Sequence, residues 1–127
     1  MSVLVDTSVW VDHFKRRNTA LSDLLGSGKV LTHPMVLLEL ACGTPPAPRA
    51  ATLGDLGLLM TAEQATYEEV TQLIEREKLY GQGCGLVDMT LLASTLVTPG
   101  AKLWSLDRRL VDLAARFGVA HPLVGHH

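Results

Sequence analysis

Four carboxylates stand out in this sequence because each lies beside or inside an apolar segment. Asp6 directly follows the β-branched run Val3–Val5, and Asp107 ends the segment KLWSLD. Glu39 and Asp88 are the only charged residues in two otherwise apolar segments, PMVLLELACG and LVDMTLLASTLV. In open α/β sheets, ligand sites form outside the carboxyl ends of the strands. We therefore expect Asp6 and Asp107 to emerge at one sheet edge, and two helices to bring Glu39 and Asp88 to it.

A bare cluster of four carboxylates is electrostatically unfavourable. Like charges at short range raise one another's pKa, and an uncompensated buried ion costs several kcal/mol. One or two hard divalent cations remove this conflict, because Mg²⁺ and Mn²⁺ prefer oxygen ligands. The pattern thus predicts a Mg²⁺ or Mn²⁺ site, for one ion or two, with ligands Asp6, Glu39, Asp88 and Asp107.

Each acid also has a structural interpretation when it is considered alone. Asp6 and Asp107 precede segments that read as helices, so either carboxylate could cap a helix N-terminus. Glu39 and Asp88 could each pair with an arginine. Four separate structural roles explain the joint pattern less well than one shared metal site, which is the interpretation we favour. The remaining aspartates lie on polar faces or near helix ends and are assigned structural roles.

Short apolar segments alternate with helical patterns along the chain. The predicted strands are Val3–Val5, Lys29–Thr32, Leu58–Met60, KLWSLD and VAHPL. Seven helices are predicted. The first four are a helix after Thr7–Ser8, a helix over Ala20–Leu25, a helix that begins at Pro34 and a helix over residues 49–57. The fifth extends from a capping-box pattern at Thr61…Gln64 to about Tyr80, and the last two are the segments LVDMTLLASTLV and RRLVDLAARFG. Such alternation indicates a parallel sheet covered on both faces. The sequence therefore predicts an α/β fold, a three-layer α/β/α sandwich with a mainly parallel central sheet, as a single domain over residues 1–127.

Composition and termini suggest a cytoplasmic protein without a membrane partner. The 127 residues have a net charge of −2, and 47% of them are hydrophobic. No apolar run approaches the roughly 18 residues of a membrane span. The start, MSVLVD, has neither the basic region nor the cleavage site of a secretory signal. Cys42 and Cys84 form no CxxC motif and are predicted to be reduced, buried thiols.

Four segments resemble the successive motifs of PIN-domain endoribonucleases, especially the VapC-type toxins of toxin–antitoxin pairs. They are VDTSVWVDHF, LLELACG, GLVDMTLLA and LWSLDRRL, and together they extend over nearly the whole chain. The resemblance implies a metal-dependent endoribonuclease toxin of a type II system, whose catalytic and metal-binding residues would be Asp6, Glu39, Asp88 and Asp107. It implies supporting hydroxyls at Thr7 or Ser8 and at Ser105. Serine at 105 replaces a common threonine and Leu110 a frequent phenylalanine, and neither departure affects a carboxylate.

The resemblance also implies a reaction and two kinds of partner. A cation would polarise the scissile phosphate of RNA and lower the pKa of a coordinated water, which attacks phosphorus in line. The expected inhibitor is a cognate antitoxin whose basic side chain enters the acids, and the expected assembly is a homodimer. A helix as apolar as the one around Glu39 must be buried in the core, in a subunit interface or in both, which agrees with such contacts.

The acidic net charge does not exclude an RNA substrate. Of the thirteen Asp and Glu residues, nine remain once the four site acids are set aside, against eleven Lys and Arg. Two basic clusters could bind phosphates beside the cut, or could be solvated surface charge. These candidates are Lys15, Arg16, Arg17, Arg108 and Arg109. Trp10 and Trp104 lie in apolar patterns and are predicted to be core residues rather than base-stacking platforms.

Two non-catalytic interpretations stay open. A von Willebrand A-type module also begins with a strand, a DxSxS motif and a helix, and it binds Mg²⁺ without chemistry. Here Trp10 stands where the second serine of that motif belongs. A PIN fold retained only as a binding subunit would keep the motifs but would cleave no RNA. His126 and His127 are assigned no role.

Overall fold

A four-stranded parallel sheet forms the centre of the computed structural model, which describes residues 1–122. The strands are β1 (Ser2–Val5), β2 (Val30–Thr32), β3 (Met60–Thr61) and β4 (Ala101–Trp104). Their order is β3-β2-β1-β4, and all three neighbouring pairs are parallel. Consecutive residues of β1 point to opposite faces of the sheet, yet Val3, Leu4 and Val5 are all buried. Both faces are therefore covered, and the predicted α/β/α layering is confirmed.

Seven helices connect the strands within residues 1–122. They are α1 (Thr7–Arg16), α2 (Thr19–Gly26), α3 (Pro34–Cys42), α4 (Arg49–Leu56), α5 (Tyr67–Glu77), α6 (Leu86–Val97) and α7 (Arg108–Arg116). Val9, Leu92 and Leu110 are among their fully buried side chains, and they join the strand residues in one core. Trp10 and Trp104 also lie in this core, as predicted. None of the helices in this part of the chain combines the length and apolar character that a membrane span requires.

The strand order creates a crevice beside β1. The chain adds β2 on one side of β1 and later adds β4 on the other side. Such a reversal leaves a ligand-binding crevice outside the carboxyl ends of the two strands. The N–H of Asp6 donates to the carbonyl of Trp104 at 2.9 Å, so the segments after β1 and β4 begin side by side. The edge predicted for Asp6 and Asp107 is therefore this crevice.

A buried histidine connects the two helices that contain Glu39 and Asp88. His33 caps α3, because its Nδ1 accepts from the N–H of Met35 at 3.0 Å. Since Nδ1 accepts, the ring proton is on Nε2, which lies 3.0 Å from Oγ of Ser94 in α6 and donates to it. Burial lowers the pKa of His33 below its ordinary value. The neutral ring thus holds α3 and α6 in a fixed relation.

The predicted start of α5 is wrong. Its capping box is formed by Thr66 and Glu69 rather than by Thr61 and Gln64, and the helix ends at Glu77 rather than near Tyr80. Thr61 instead belongs to β3, where it pairs with Thr32 of β2. This pairing joins residues far apart in the chain, so a local capping pattern could not reveal it.

The end of the chain and the cysteines also depart from the predictions. Of the predicted strand VAHPL, residues 119–122 form only one bridge, between Ala120 and Leu103. Both cysteines are free thiols as predicted, but Cys42 is exposed and Cys84 is only partly buried. Residues 123–127, with His126 and His127, lie outside the described residues.

Candidate metal centre

Asp6 ends β1 and is the most buried of the four acids, with 5% of its surface exposed. It occupies the N-cap position of α1 but makes no capping hydrogen bond, so the purely capping interpretation is wrong. Its Oδ2 instead accepts two hydrogen bonds, from Oγ of Ser8 and from Oγ of Ser105, each 2.7 Å long. No further side-chain bond to this carboxylate comes from residues 1–122. Oδ1 is therefore left for another ligand.

The two serines fix this carboxylate to the loop that follows β4. Ser8 Oγ accepts from the N–H of Leu106, and Ser105 Oγ accepts from the N–H of Asp107, both at 2.9 Å. Each hydroxyl thus accepts one backbone hydrogen bond and donates to the same oxygen of Asp6. The network joins the start of α1 to the loop that carries Asp107, and it holds the Asp6 side chain in one orientation.

Asp107 does cap a helix. Its Oδ1 accepts from the N–H groups of Arg109 at 3.0 Å and Leu110 at 3.3 Å, at the start of α7. Both bonds use the same oxygen, and Oδ2 takes part in neither. The structural role that the sequence left open is therefore present, and it leaves one carboxylate oxygen for a ligand.

Glu39 lies on α3 with an exposed side chain, and its Oε1 accepts from Oγ1 of Thr7 at 2.6 Å. Thr7 is the first residue of α1, directly after Asp6. Among the described residues, no lysine or arginine forms an ion pair with Glu39 or Asp88, so that alternative is wrong. The predicted hydroxyls at Thr7, Ser8 and Ser105 thus each donate to one of the acids.

Asp88 lies in the first turn of α6 and is half-buried. Its pKa is influenced by the charges of the other three acids. Burial raises the pKa of Asp88, and the negative charges of Asp6, Asp107 and Glu39 raise it further, although the Gly85 backbone partly opposes them. The other three carboxylates therefore each lie within electrostatic reach of Asp88.

The donor set fits a hard divalent cation, although the side chains do not yet surround one point. Within residues 1–122, no three acidic, histidine or cysteine side chains are arranged to hold one ion as they stand. Glu39 and Asp107 each direct one oxygen to a local donor, Thr7 Oγ1 and the start of α7. Carboxylate oxygens are the ligands that Mg²⁺ and Mn²⁺ prefer, and a cation would relieve the repulsion at Asp88. The assignment of the four acids as ligands stays a prediction.

The five basic candidates are in different situations. Lys15 and Arg17 are exposed, and Arg16 is paired with Asp12 at 2.7 Å. Arg108 is exposed at the start of α7. The Arg109 side chain lies against Gly83, whose carbonyl accepts from Nη1 at 3.4 Å. Sequence reasoning missed Gly83, because GQGCG indicates a turn but does not identify the side chain that packs on it.

A groove of about 610 Å³ lies beside Glu39. Thr7 and Glu39 lie at its edge, and it continues between α1 and α3 to the loop after α3. Its other lining residues are mainly apolar or small, and they are Val11, Phe14, Lys15, Leu40, Gly43, Thr44, Pro45 and Pro46. The groove thus offers an apolar surface next to a carboxylate.

Comparison with known proteins agrees with the motifs. The pattern of the PIN domain family matches residues 3–116. The chain belongs to the PIN domain family. It is similar to Ribonuclease VapC32 of Mycobacterium tuberculosis, in both strain CDC 1551 / Oshkosh and strain ATCC 25618 / H37Rv. Identity to each is 41% over 118 residues, which cover 93% of this chain and 94% of the relative. The predicted family is confirmed.

Proposed function

We propose that this chain is a metal-dependent endoribonuclease, the toxin of a type II toxin–antitoxin pair, which acts in the cytoplasm as a single domain over residues 1–127. One observation carries the proposal: the pKa of Asp88 is raised by burial and by the negative charges of Asp6, Asp107 and Glu39, which supports a shared site for the four acids. The most buried of them, Asp6, is held by two serine hydroxyls. The similarity to a protein named Ribonuclease VapC32 supports the same activity.

The four acids are the proposed catalytic residues and the ligands of Mg²⁺ or Mn²⁺. When bound, the ion would polarise the scissile phosphate and lower the pKa of a coordinated water that attacks phosphorus. Ser8 and Ser105 keep Asp6 in one orientation, so its Oδ1 is preorganised for the ion. Thr7 does the same for Glu39 from the adjacent helix start.

Water is the proposed nucleophile because no side chain of the site is arranged as one. A nucleophilic serine needs a base to accept its proton and an oxygen free to attack. The Ser8 and Ser105 oxygens already accept backbone N–H groups, and their protons are held by Asp6. His13 uses its Nδ1 to accept from the N–H of Asn18 at 2.9 Å. These contacts support orienting roles for the serines and a structural role for the histidine.

The proposed antitoxin binds at the acids and in the adjoining groove. Leu38, Leu86 and Leu106 are 61%, 68% and 43% exposed, and each lies within two residues of one of the acids. Exposed leucines next to the acids in the sequence, together with the mainly apolar groove beside Glu39, fit a partner that inserts a basic side chain and covers apolar surface. An arginine that enters the acids would inhibit by charge pairing and by displacing the ion.

The proposed homodimer rests on further apolar exposure. Leu38 is exposed although α3 is strongly apolar, so the chain alone does not bury this helix on all sides. Leu58 and Met60, at the edge strand β3, are 84% and 72% exposed. Exposed apolar side chains on an edge are typical of surfaces that meet another chain. A second copy of this chain is the proposed partner.

Cleavage of RNA by purified wild-type and variant protein tests the proposed activity. Asp6→Ala, Glu39→Ala, Asp88→Ala and Asp107→Ala should each lower Mn²⁺-dependent cleavage by orders of magnitude, because each removes a ligand. Asp23→Ala, which removes an exposed carboxylate of α2, is the matched control and should cleave normally. A wild type that binds RNA and never cleaves it would instead identify a PIN-fold binding subunit. Near-normal cleavage by Asp88→Ala would refute its role as a ligand.

A further inference from the structure

The Arg109 side chain packs against Gly83, in the loop that leads into α6, and we call this packing site the seat. An ideal Cβ on Gly83 would lie 2.9 Å from both Cδ and Nε of Arg109, and 3.1 Å from its Cζ. A side chain at position 83 would therefore displace the arginine from its observed position. Gly83 also has a φ of +86°, a conformation that favours glycine. The loop backbone thus accepts the arginine by presenting a surface without a side chain.

This seat lies between the elements that position Asp88 and Asp107. Arg109 belongs to the first turn of α7, which Asp107 caps, and its side chain reaches the loop just before Asp88 in the sequence. The thiol of Cys84 lies in the same neighbourhood. Burial raises its pKa, the charges of Asp88 and Asp107 raise it further, and the charge of Arg109 lowers it. The guanidinium therefore lies close to the loop that leads to Asp88.

The donors of Arg109 are largely uncommitted in the described part of the chain. Its side chain is exposed and donates there to one acceptor, the Gly83 carbonyl, at 3.4 Å. Other arginines are already engaged with carboxylates: Arg16 pairs with Asp12, and Arg76 and Arg116 pair with Glu77. A guanidinium carries five N–H groups in a planar fork that matches a phosphate. Arg109 thus combines a packing contact with the loop before Asp88 and free donors.

We propose that Arg109, seated on Gly83, binds a backbone phosphate of single-stranded RNA next to the one that is cleaved. This inference rests on the proposed ribonuclease function and adds a substrate contact to it. A phosphate held there would bring its neighbour to the four acids in a fixed register. Arg109 is therefore a substrate-binding residue, and Gly83 is a positioning residue that acts through it.

The first test compares Arg109→Ala with Arg109→Lys and with Lys29→Ala, a matched removal of an exposed charge directly before β2, away from the crevice. The probe is a single-stranded RNA with a fluorophore and a quencher at its ends and with every dinucleotide step represented. Arg109→Ala should raise KM about tenfold with little change in kcat, as expected for the loss of one charge-assisted hydrogen bond. Its plot of log kcat/KM against log salt should become shallower by about 0.7, the value for one single-strand phosphate contact. Arg109→Lys should keep the salt slope and recover part of KM, whereas Lys29→Ala should keep both.

The second test uses two glycines of the same loop. Gly81 and Gly83 have φ values of +72° and +86°, so alanine strains the backbone at both, but only position 83 contacts Arg109. Gly83→Ala should reproduce the KM and salt effects of Arg109→Ala, and Gly81→Ala should lower the melting temperature without them. In an Arg109→Ala background, Gly83→Ala should raise KM no further.

The outcomes separate this inference from the function on which it rests. If the wild type cleaves the probe but Arg109→Ala keeps its KM and salt slope, the phosphate contact is refuted and the ribonuclease is not. If Gly81→Ala and Gly83→Ala raise KM equally, the seat is refuted. If the wild type cleaves no RNA with Mn²⁺, the proposed ribonuclease function and the phosphate contact are both refuted.

Discussion

Replacing Ser105 by alanine should destabilise the protein through the Asp6 network. Ser105 is buried, its Oγ donates to Asp6 Oδ2 at 2.7 Å, and it accepts from the N–H of Asp107 at 2.9 Å. A hydrogen bond to a charged group contributes about 1.5–3 kcal/mol, and a neutral one about 0.5–1.5 kcal/mol. Ser105→Ala should therefore lower the free energy of unfolding by about 2–4.5 kcal/mol. Urea denaturation at neutral pH in EDTA measures this loss against a typical total of about 5–15 kcal/mol.

A double-mutant cycle with Asp6→Ala isolates the carboxylate bond. Without the carboxylate, Ser105→Ala loses only its contact with the Asp107 N–H, so the two substitutions should couple by about 1.5–3 kcal/mol. Ser27→Ala removes an exposed hydroxyl and should change stability by less than about 0.5 kcal/mol. An equal effect of Ser105→Ala with and without Asp6 would show that Ser105 does not stabilise the protein through this carboxylate.

Three further results are expected. Asp88→Asn should raise the melting temperature in EDTA, because it removes a charge that burial and three other acids disfavour; a lowered melting temperature would contradict the clustering. Acid should destabilise the protein: burial lowers the pKa values of His33 and His121 from 6.5, so the unfolded chain takes up protons first, and the free energy of unfolding should fall as the pH drops below 6.5. His33→Asn should weaken that dependence in urea titrations, and an unchanged dependence would exclude His33 as a source. Sedimentation at tens of micromolar should give a dimer, which a monomer would refute.

The fold could be predicted wherever local pattern and tertiary structure agree. The apolar runs before Asp6 and Asp107 form β1 and the end of β4 because a strand covered on both faces needs continuous apolar residues. Thr61 was wrongly predicted to cap a helix, because the capping pattern is local in the sequence whereas the pairing of Thr61 with Thr32 is not. Cys42 was wrongly predicted to be buried for a related reason. The apolar pattern of α3 does not show that the last residue of the helix is exposed.

The proximity of the other three acids to Asp88 could be predicted from the sequence, whereas the shared hydrogen bonds could not, and the role of the acids as metal ligands stays a prediction. Position alone singled out the four acids, because a charged residue in an apolar segment is unfavourable without a role. No pattern shows that Ser8 and Ser105, separated by 97 residues, bond the same oxygen of Asp6. Nor does any pattern reveal that Arg109 packs on Gly83, since only the packing of α7 beside the loop before α6 brings them together.

A titration of the wild type with Mn²⁺, followed in parallel by RNA cleavage and by melting temperature, addresses the metal-dependent site itself. The Mn²⁺ concentration that half-saturates cleavage should agree with the Kd fitted to the logarithmic rise in stability, and a hundredfold excess over Kd should add about 2.7 kcal/mol to the free energy of unfolding. Asp6→Asn should abolish both responses while it remains folded. Cleavage that persists in EDTA, or a melting temperature that saturating Mn²⁺ does not raise, would contradict a catalytic metal held by these four acids.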